Sequence, residues 1–146
     1  MTDFMFAYAT NIDAEEMHKH CPNAIFRGSG VLEGFKLVFS GYTGHAIATL
    51  KKQKGSSVNV IAWEMSPEDY YTIDNYEKFP YLYHKEKVSV VIMGRKIKGY
   101  IYLLKQKLQA NAPDEKYLEM LRASFDKAGW SQDEINDALE MIKNEK

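Results

Sequence analysis

The sequence has little cysteine and no long apolar segment. Its 146 residues include one cysteine, Cys21, which excludes a disulfide framework within the chain and is typical of a reducing compartment. No run approaches the roughly 20 apolar residues that a helix needs to cross a bilayer. Residues 1–5 have neither the basic region nor the apolar core of a signal peptide. We therefore expect a cytoplasmic protein with no membrane partner.

An excess of positive charge is also missing. Nineteen basic and 20 acidic residues give a formal net charge of −1, whereas nucleic-acid-binding domains usually gather basic residues on one face. The short basic runs at 51–54 and 95–98 are typical of solvated turns, so we expect no nucleic-acid partner. The length and the 45% apolar content predict one globular domain, residues 1–146. Seven Phe, ten Tyr and two Trp indicate either a pocket or a tyrosine-rich core.

Motifs for metals and nucleotides are incomplete. His18, His20 and Cys21 are close in sequence, but the second pair of ligands that zinc sites usually have does not follow. The glycines of segment 28–34 lack the spacing of a dinucleotide-binding loop, and they lead into a strand instead of a helix. We interpret these glycines as turn and bulge residues. The sequence therefore predicts no cofactor and no metal.

Apolar and β-branched runs predict strands in the first two thirds of the chain. A turn rich in Lys, Gly and Ser separates the third strand from the fourth, and Met93-Gly94 joins the last two in a hairpin. The predicted strands are 4–8, 31–39, 47–50, 58–63, 87–92 and 97–103.

Four helix signals accompany these strands. Asp13 and Glu16 have the spacing of a capping box, and Ser66-Pro67 begins a helix that Pro80 prevents from running far beyond Tyr76. After Pro113 the pattern becomes helical up to a C-terminal cap at Gly129, and a second capping box at 131–134 opens the last helix. Together these elements predict an α+β fold, with a small central β-barrel or a strongly curled mixed sheet and flanking helices.

The segment 72–80 carries a carboxylate, Glu77, at the predicted end of the second helix. Tyr76 and Phe79 flank it, and four more tyrosines lie within seven positions of it. A carboxylate held against aromatic rings is poorly solvated, which raises its pKa and suits it to exchange protons near neutral pH. The alternative interpretation is a solvated carboxylate at a helix end, paired with Lys78.

The second segment of chemical interest is the turn Tyr8-Ala9-Thr10-Asn11, where the first strand leads into the first helix. Backbone N–H groups at such a turn are unpaired, and the helix dipole adds partial positive charge. The turn can therefore hold a carboxylate or a developing oxyanion. The alternative is an ordinary turn in which Asn11 or Asp13 caps the helix.

The order of these segments resembles the γ-glutamylcyclotransferase family, in which the opening reads F-A-Y-G-S-N and the acid lies in an L-D-x-x-E-G stretch. The resemblance covers nearly the whole chain, and the order and spacing of the motifs carry it. The matching segments are Phe6–Asn11, Cys21-Pro22, Gly34–Phe39, Ala48-Thr49, Ile61–Trp63, Ile73–Glu77, Tyr83, Tyr100–Tyr102, Pro113 with Tyr117, and Gly129.

This resemblance implies a small mixed α/β fold with a central β-barrel. It also implies cleavage of a γ-glutamyl amide by its own α-amine, which yields 5-oxoproline and a free amine or amino acid. By resemblance, Glu77 is the general acid/base. The turn formed by Tyr8, Ala9, Thr10 and Asn11 binds the substrate, and Tyr83 and Tyr102 form the pocket wall.

Two positions depart from the family pattern. Ala9-Thr10 replaces the usual Gly-Ser, and alanine has less conformational freedom than glycine. Lys78 replaces the glycine that follows the acid, and lysine does not easily adopt a positive φ. An alternative function is therefore a non-catalytic module that binds a small metabolite or a protein. The amphipathic helix after Ser131 packs on its own domain or forms a homodimer contact.

Overall fold

The computed structural model describes residues 3–42, 44–76, 83–104 and 110–145. Strands fill the first two thirds of the described chain and helices close it, which confirms the predicted α+β class. A 3₁₀ turn at Thr10–Ile12 follows the first strand. In chain order, the elements are β1 (Asp3–Ala7), α1 (Ala14–His20), β2 (Ile25–Ser40), β3 (Ile47–Met65), α2 (Pro67–Tyr76), β4 (Tyr83–Ile92), β5 (Arg95–Leu104), α3 (Glu115–Ala128) and α4 (Asp133–Glu145).

The strands form one mixed sheet in the order β2-β3-β1-β5-β4. The central strand β1 is antiparallel to β3 and parallel to β5. The sheet curls so strongly that its two edge strands approach each other. A Cβ atom built on Gly30 of β2 would lie 2.7 Å from the carbonyl oxygen of Val91 in β4. The strongly curled mixed sheet is therefore confirmed, with β2 and β4 as its edges.

β3 is one continuous strand where the sequence predicts two strands and a turn. β2 pairs with β3 on both sides of the predicted turn, so that the four residues 53–56 of β3 face Gly34 alone. This irregularity is a long bulge, in which Gly34 and Gly55 adopt positive φ values of 86° and 88°. The prediction of a turn was wrong because the polar residues bulge out of the ladder, while the pairing continues beyond them.

The predicted starts of α1 and α2 are confirmed by their N-terminal caps. The carboxylate of Asp13 accepts a hydrogen bond from the backbone N–H of Glu16 at 3.4 Å. The hydroxyl of Ser66 accepts one from the backbone N–H of Asp69 at 3.1 Å. α2 spans Pro67–Tyr76, and its predicted end stays a prediction because the next residues lie outside the described part of the chain.

The last two helices agree with the sequence in part. Gly129 has a φ of 75° and forms the predicted left-handed cap of α3. The hydroxyl of Ser131 accepts a hydrogen bond from the N–H of Asp133, whereas a capping box requires the N–H of Glu134, so the predicted capping box is wrong. The carboxylate of Glu134 instead accepts two hydrogen bonds from Asn59 of β3, from its backbone N–H at 3.2 Å and its side-chain amide at 2.9 Å.

The buried apolar residues form one core cluster, to which side chains from every strand and from the four helices contribute. Among the described helices, none is long and apolar enough to cross a bilayer. The largest fully buried side chains include Phe6, Phe39, Trp63, Ile101 and Phe125.

Candidate active site

A cavity of about 250 Å³ lies where β1 ends and the 3₁₀ turn begins. All six residues that the sequence analysis assigns to substrate binding line it: Tyr8, Ala9, Thr10, Asn11, Tyr83 and Tyr102. They come from three separate parts of the chain, and the sheet brings them together. Their role as substrate ligands stays a prediction. The other lining residues are Met5, Phe6, Ala7, Ile47, Ala48 and Tyr117.

A hydrogen bond from Trp63 fixes the turn at residues 8–11. The indole N–H of this fully buried side chain donates a hydrogen bond of 2.9 Å to the backbone carbonyl of Asn11. Within the turn, the N–H of Ile12 binds the carbonyl of Ala9 at 3.1 Å. In the described part of the chain, no acceptor takes the N–H of Thr10 or Asn11. Both residues line the cavity, so two N–H donors lie in its lining. Asp13 caps α1, as the alternative interpretation expects.

The local backbone at position 9 tolerates alanine in place of the family's usual glycine. Ala9 has φ −127° and ψ −135°, a negative φ that an L-residue adopts without the strain of the left-handed region. The added methyl group of Ala9 therefore acts on the size of the cavity and does not distort the turn.

Two tyrosines form another part of the cavity lining, which we call the tyrosine wall. Tyr83 and Tyr102 are both buried, and they lie on the paired strands β4 and β5. The hydroxyl of Tyr8 donates to the backbone carbonyl of Tyr102 at 2.5 Å. The hydroxyl of Tyr102 in turn donates to Oδ1 of Asp74, in the last turn of α2. These contacts connect the 8–11 turn, the tyrosine wall and α2.

Two charged residues next to this wall were not identified as site residues from the sequence. Nζ of Lys85 lies 3.2 Å from Oδ2 of Asp74 and faces the rings of Tyr70 and Tyr100, 5.2 Å and 5.6 Å from their centroids. Asp74 belongs to the quoted Ile73–Glu77 segment, so a signal for it existed. Lys85 has no recognisable motif in the single sequence.

Sequence reasoning also missed Tyr117 as a cavity residue, because its helical spacing in α3 is typical of a core position. It is half-buried, and its hydroxyl accepts a hydrogen bond from the backbone N–H of Ala48 at 3.0 Å. This contact joins α3 to β3 at the cavity. Tyr117 is among the positions that match the family, and that match could have indicated a place in the site.

The predicted general acid/base, Glu77, lies outside the described residues, as do Lys78 and Phe79. Of the nearby tyrosines, Tyr70 is buried and Tyr71 is exposed. Burial raises the pKa of Tyr70, whose hydroxyl donates to the carbonyl of Phe4 at 2.6 Å. Tyr70 therefore stays protonated and acts as a structural donor.

The described residues include no group of three or more His, Cys, Asp or Glu side chains that could hold a metal ion. The Nε2–H of His18 donates to the carbonyl of Ala24 at 2.9 Å. Cys21 is fully buried, and burial, with a smaller contribution from Asp69, raises the pKa of its thiol to about 12. The three residues that the sequence analysis weighed as metal ligands thus include a thiol that is closed to solvent.

Comparisons with known proteins point to one family. The sequence model of a family described as gamma-glutamyl cyclotransferase, AIG2-like, matches residues 5–123. A Mus musculus protein named gamma-glutamylcyclotransferase is 30% identical over 83 residues, which are 52% of this chain and 44% of the mouse protein. The Bos taurus protein of that name is 30% identical over 79 residues, which are 49% and 42% of the two chains. The matches therefore span less than half the length of these relatives.

A solved structure named gamma-glutamyl cyclotransferase has the same fold. It aligns with 98% of this chain and 87% of its own length, with a TM-score of 0.80 and 24% sequence identity. At this identity the similarity shows the fold, and the match to the family's sequence model is what shows membership. The chain therefore belongs to the gamma-glutamyl cyclotransferase, AIG2-like family.

Proposed function

We propose that this protein converts a γ-glutamyl amide or peptide into 5-oxoproline and a free amine or amino acid. The observation that carries this proposal is the single cavity into which the family's turn and tyrosine positions converge. The names of the mouse and bovine relatives support the same reaction class. No metal or cofactor is required for this chemistry.

The reaction is intramolecular. The substrate's α-amine attacks its own γ-carbonyl carbon, a new C–N bond closes the five-membered ring, and the original amide C–N bond breaks. Holding the substrate curled supplies a large part of the roughly 7–11 kcal/mol that correct orientation can contribute. A cavity of about 250 Å³, lined largely by rings and aliphatic side chains, suits a small curled substrate.

Proton transfer requires one group that removes a proton from the α-ammonium and later returns one to the leaving amine. We assign this role to Glu77. Asp74, three positions earlier, is hydrogen bonded to the cavity residue Tyr102. Three residues of chain span at most about 11 Å even when fully extended, and this short tether supports Glu77 as the carboxylate that serves the cavity. Aromatic residues surround Glu77 in the sequence, and from them we expect the raised pKa that the two transfers need.

The turn at residues 8–11 supplies the electrostatic part of the mechanism. Its N–H groups at Thr10 and Asn11 are suited to hold the substrate's α-carboxylate or the oxyanion that develops on the γ-carbonyl oxygen. One such donor contributes roughly 3–4 kcal/mol when it is aimed at an oxyanion. The bond from Trp63 to Asn11 keeps these donors in place before substrate binds.

The proposal is tested by mass spectrometry with a panel of γ-glutamyl amines and γ-glutamyl dipeptides. We expect 5-oxoproline from at least one member, and Glu77→Gln should form it at least about a hundredfold more slowly, the lower end for loss of a general acid/base. Glu68→Gln, an exposed acid in the first turn of α2, is the matched control and should retain activity. Unchanged turnover in Glu77→Gln would remove Glu77 from the mechanism.

The same panel distinguishes the second candidate, a non-catalytic binding module. The substitutions at Ala9, Thr10 and Lys78 favour that candidate, although the backbone of Ala9 fits its turn without strain. Binding of γ-glutamyl compounds without any product would support the module and contradict the enzyme. A small γ-glutamyl partner is thus common to both candidates, and a homodimer and a cytoplasmic location stay predictions.

A further inference from the structure

We propose that Asp74 and Lys85 are positioning residues, which together with Tyr102 hold the end of α2 against the cavity wall. We name these three residues the Asp74 clamp. The inference rests on the proposed function, because it concerns the helix turn that directly precedes the proposed acid/base, Glu77. It assigns a role to two charged residues that lie outside the cavity lining.

Both carboxylate oxygens of Asp74 are engaged. Oδ1 accepts the hydroxyl of Tyr102, and Oδ2 lies 3.2 Å from Nζ of Lys85. The Asp74 and Lys85 side chains are only 25% and 22% exposed. In every other ion pair of the described chain, the basic side chain is at least 47% exposed. Because water screens exposed pairs strongly, this half-buried pair restrains its partners more than the others do.

The position of Lys85 is itself fixed by two aromatic rings. Its ammonium group faces Tyr70 and Tyr100, whose rings meet edge to face with centroids 6.2 Å apart. Attraction between a cation and ring faces holds the ammonium in place. The hydroxyl of Tyr70 is in turn bound to the carbonyl of Phe4, so the clamp is anchored on the central strand β1.

Strand register explains why the clamp reaches the cavity. Lys85 of β4 lies directly opposite Tyr102 of β5, so both side chains stand on the same face of the sheet. Tyr102 also lines the cavity. Asp74 lies in the last described turn of α2 (Pro67–Tyr76), and Glu77 is the next residue in the sequence. The clamp therefore joins the turn of helix that precedes Glu77 to the wall that faces the substrate.

This arrangement predicts a specific kinetic effect. Loss of Asp74 or of Lys85 leaves the cavity lining chemically intact, so substrate binding should change little. Misplacement of a catalytic group by about 1 Å can lower a rate about a hundredfold. A loosened α2 end should therefore lower kcat while KM stays nearly constant, the pattern of an interaction that matters in the transition state.

The experiment compares Lys85→Met, which keeps the aliphatic stem but removes the charge, with Lys85→Arg, which keeps a cation. Lys52→Met is the matched control. It breaks a 2.8 Å ion pair with Glu86, which lies on β4 as Lys85 does, but the side chain of Lys52 is 73% exposed. We expect kcat to fall about tenfold in Lys85→Met with KM within about twofold, and to recover in Lys85→Arg. Asp74→Asn should reproduce the kcat loss. If Lys85→Met does not fold, Asp74→Asn takes its place in the comparison with Lys52→Met.

Amide hydrogen exchange provides a readout that does not depend on activity. The amides of residues 73–76 should exchange about tenfold faster in Lys85→Met than in Lys52→Met, because the clamp no longer opposes local opening. An unchanged kcat with unchanged exchange overturns the inference, and so does a kcat loss that arginine does not restore. If the wild-type chain makes no product from any compound, the proposed function fails. Faster exchange then still supports the clamp, and unchanged exchange contradicts it.

Discussion

The hydroxyl of Tyr8 donates a hydrogen bond to the backbone carbonyl of Tyr102 at 2.5 Å, across 94 positions of sequence. Both side chains are buried, and both line the cavity. Tyr8 directly follows β1 and Tyr102 lies on β5, and these two strands pair at Met5 and Tyr100. The tyrosine bond extends this junction to the cavity and ties the substrate turn to the tyrosine wall.

Replacement of Tyr8 by phenylalanine tests the importance of this bond. Tyr8→Phe keeps the ring but removes the donor to a buried carbonyl, which should lower the free energy of unfolding by about 1–2 kcal/mol. Urea denaturation measures the change. Tyr42→Phe is the control, because Tyr42 is 76% exposed. Equal stability of the two variants would show that the bond contributes nothing.

The close approach of the edge strands β2 and β4 gives a second prediction. The nearest atoms to an added Cβ at Gly30 include a backbone oxygen, that of Val91 at 2.7 Å, which cannot rotate away as a side chain can. Gly30→Ala should therefore force the edges of the sheet apart and destabilise the protein by about 1–3 kcal/mol. Thermal unfolding measures this loss, with exposed Ser29→Ala on the same strand as the control. A Gly30→Ala variant as stable as that control would contradict the close approach of β2 and β4.

The contact between Glu134 and Asn59 predicts a pH dependence of stability. Burial raises the pKa of Glu134 and outweighs the two hydrogen bonds from Asn59, which lower it. A carboxyl whose pKa is higher in the folded chain than in the unfolded chain contributes most to stability below its unfolded pKa. That contribution is lost as the pH rises through the folded value.

Glu134→Gln removes this titration and keeps an oxygen for Asn59. The stability of the glutamine variant relative to wild type should therefore be more favourable at pH 7 than at pH 4, as measured by urea unfolding at both values. Glu140→Gln, on the exposed side of the same helix, is the control. A relative stability that is the same at both pH values, or that favours wild type at pH 7, would contradict the prediction.

Local signals predicted the elements whose ends depend on nearby residues. Asp13, Ser66 and Gly129 each cap a helix where the sequence places a cap, because capping involves residues within a few positions of one another. The exceptions involve distant partners. Glu134 turns to Asn59 on β3, and the polar segment 53–56 bulges beside β2 instead of ending a strand. Neither contact has a signal within its own segment.

The sequence by itself determined the α+β class, most helix boundaries, and the short motifs that place the chain in its family, because these depend on the residue pattern along the chain. Only the tertiary structure decided that Tyr8, Tyr83 and Tyr102 enclose one cavity and that Lys85 meets Asp74. Those relationships follow from the curl of the sheet and the register of β4 against β5. Both are set by packing between segments far apart in sequence, which no local pattern encodes.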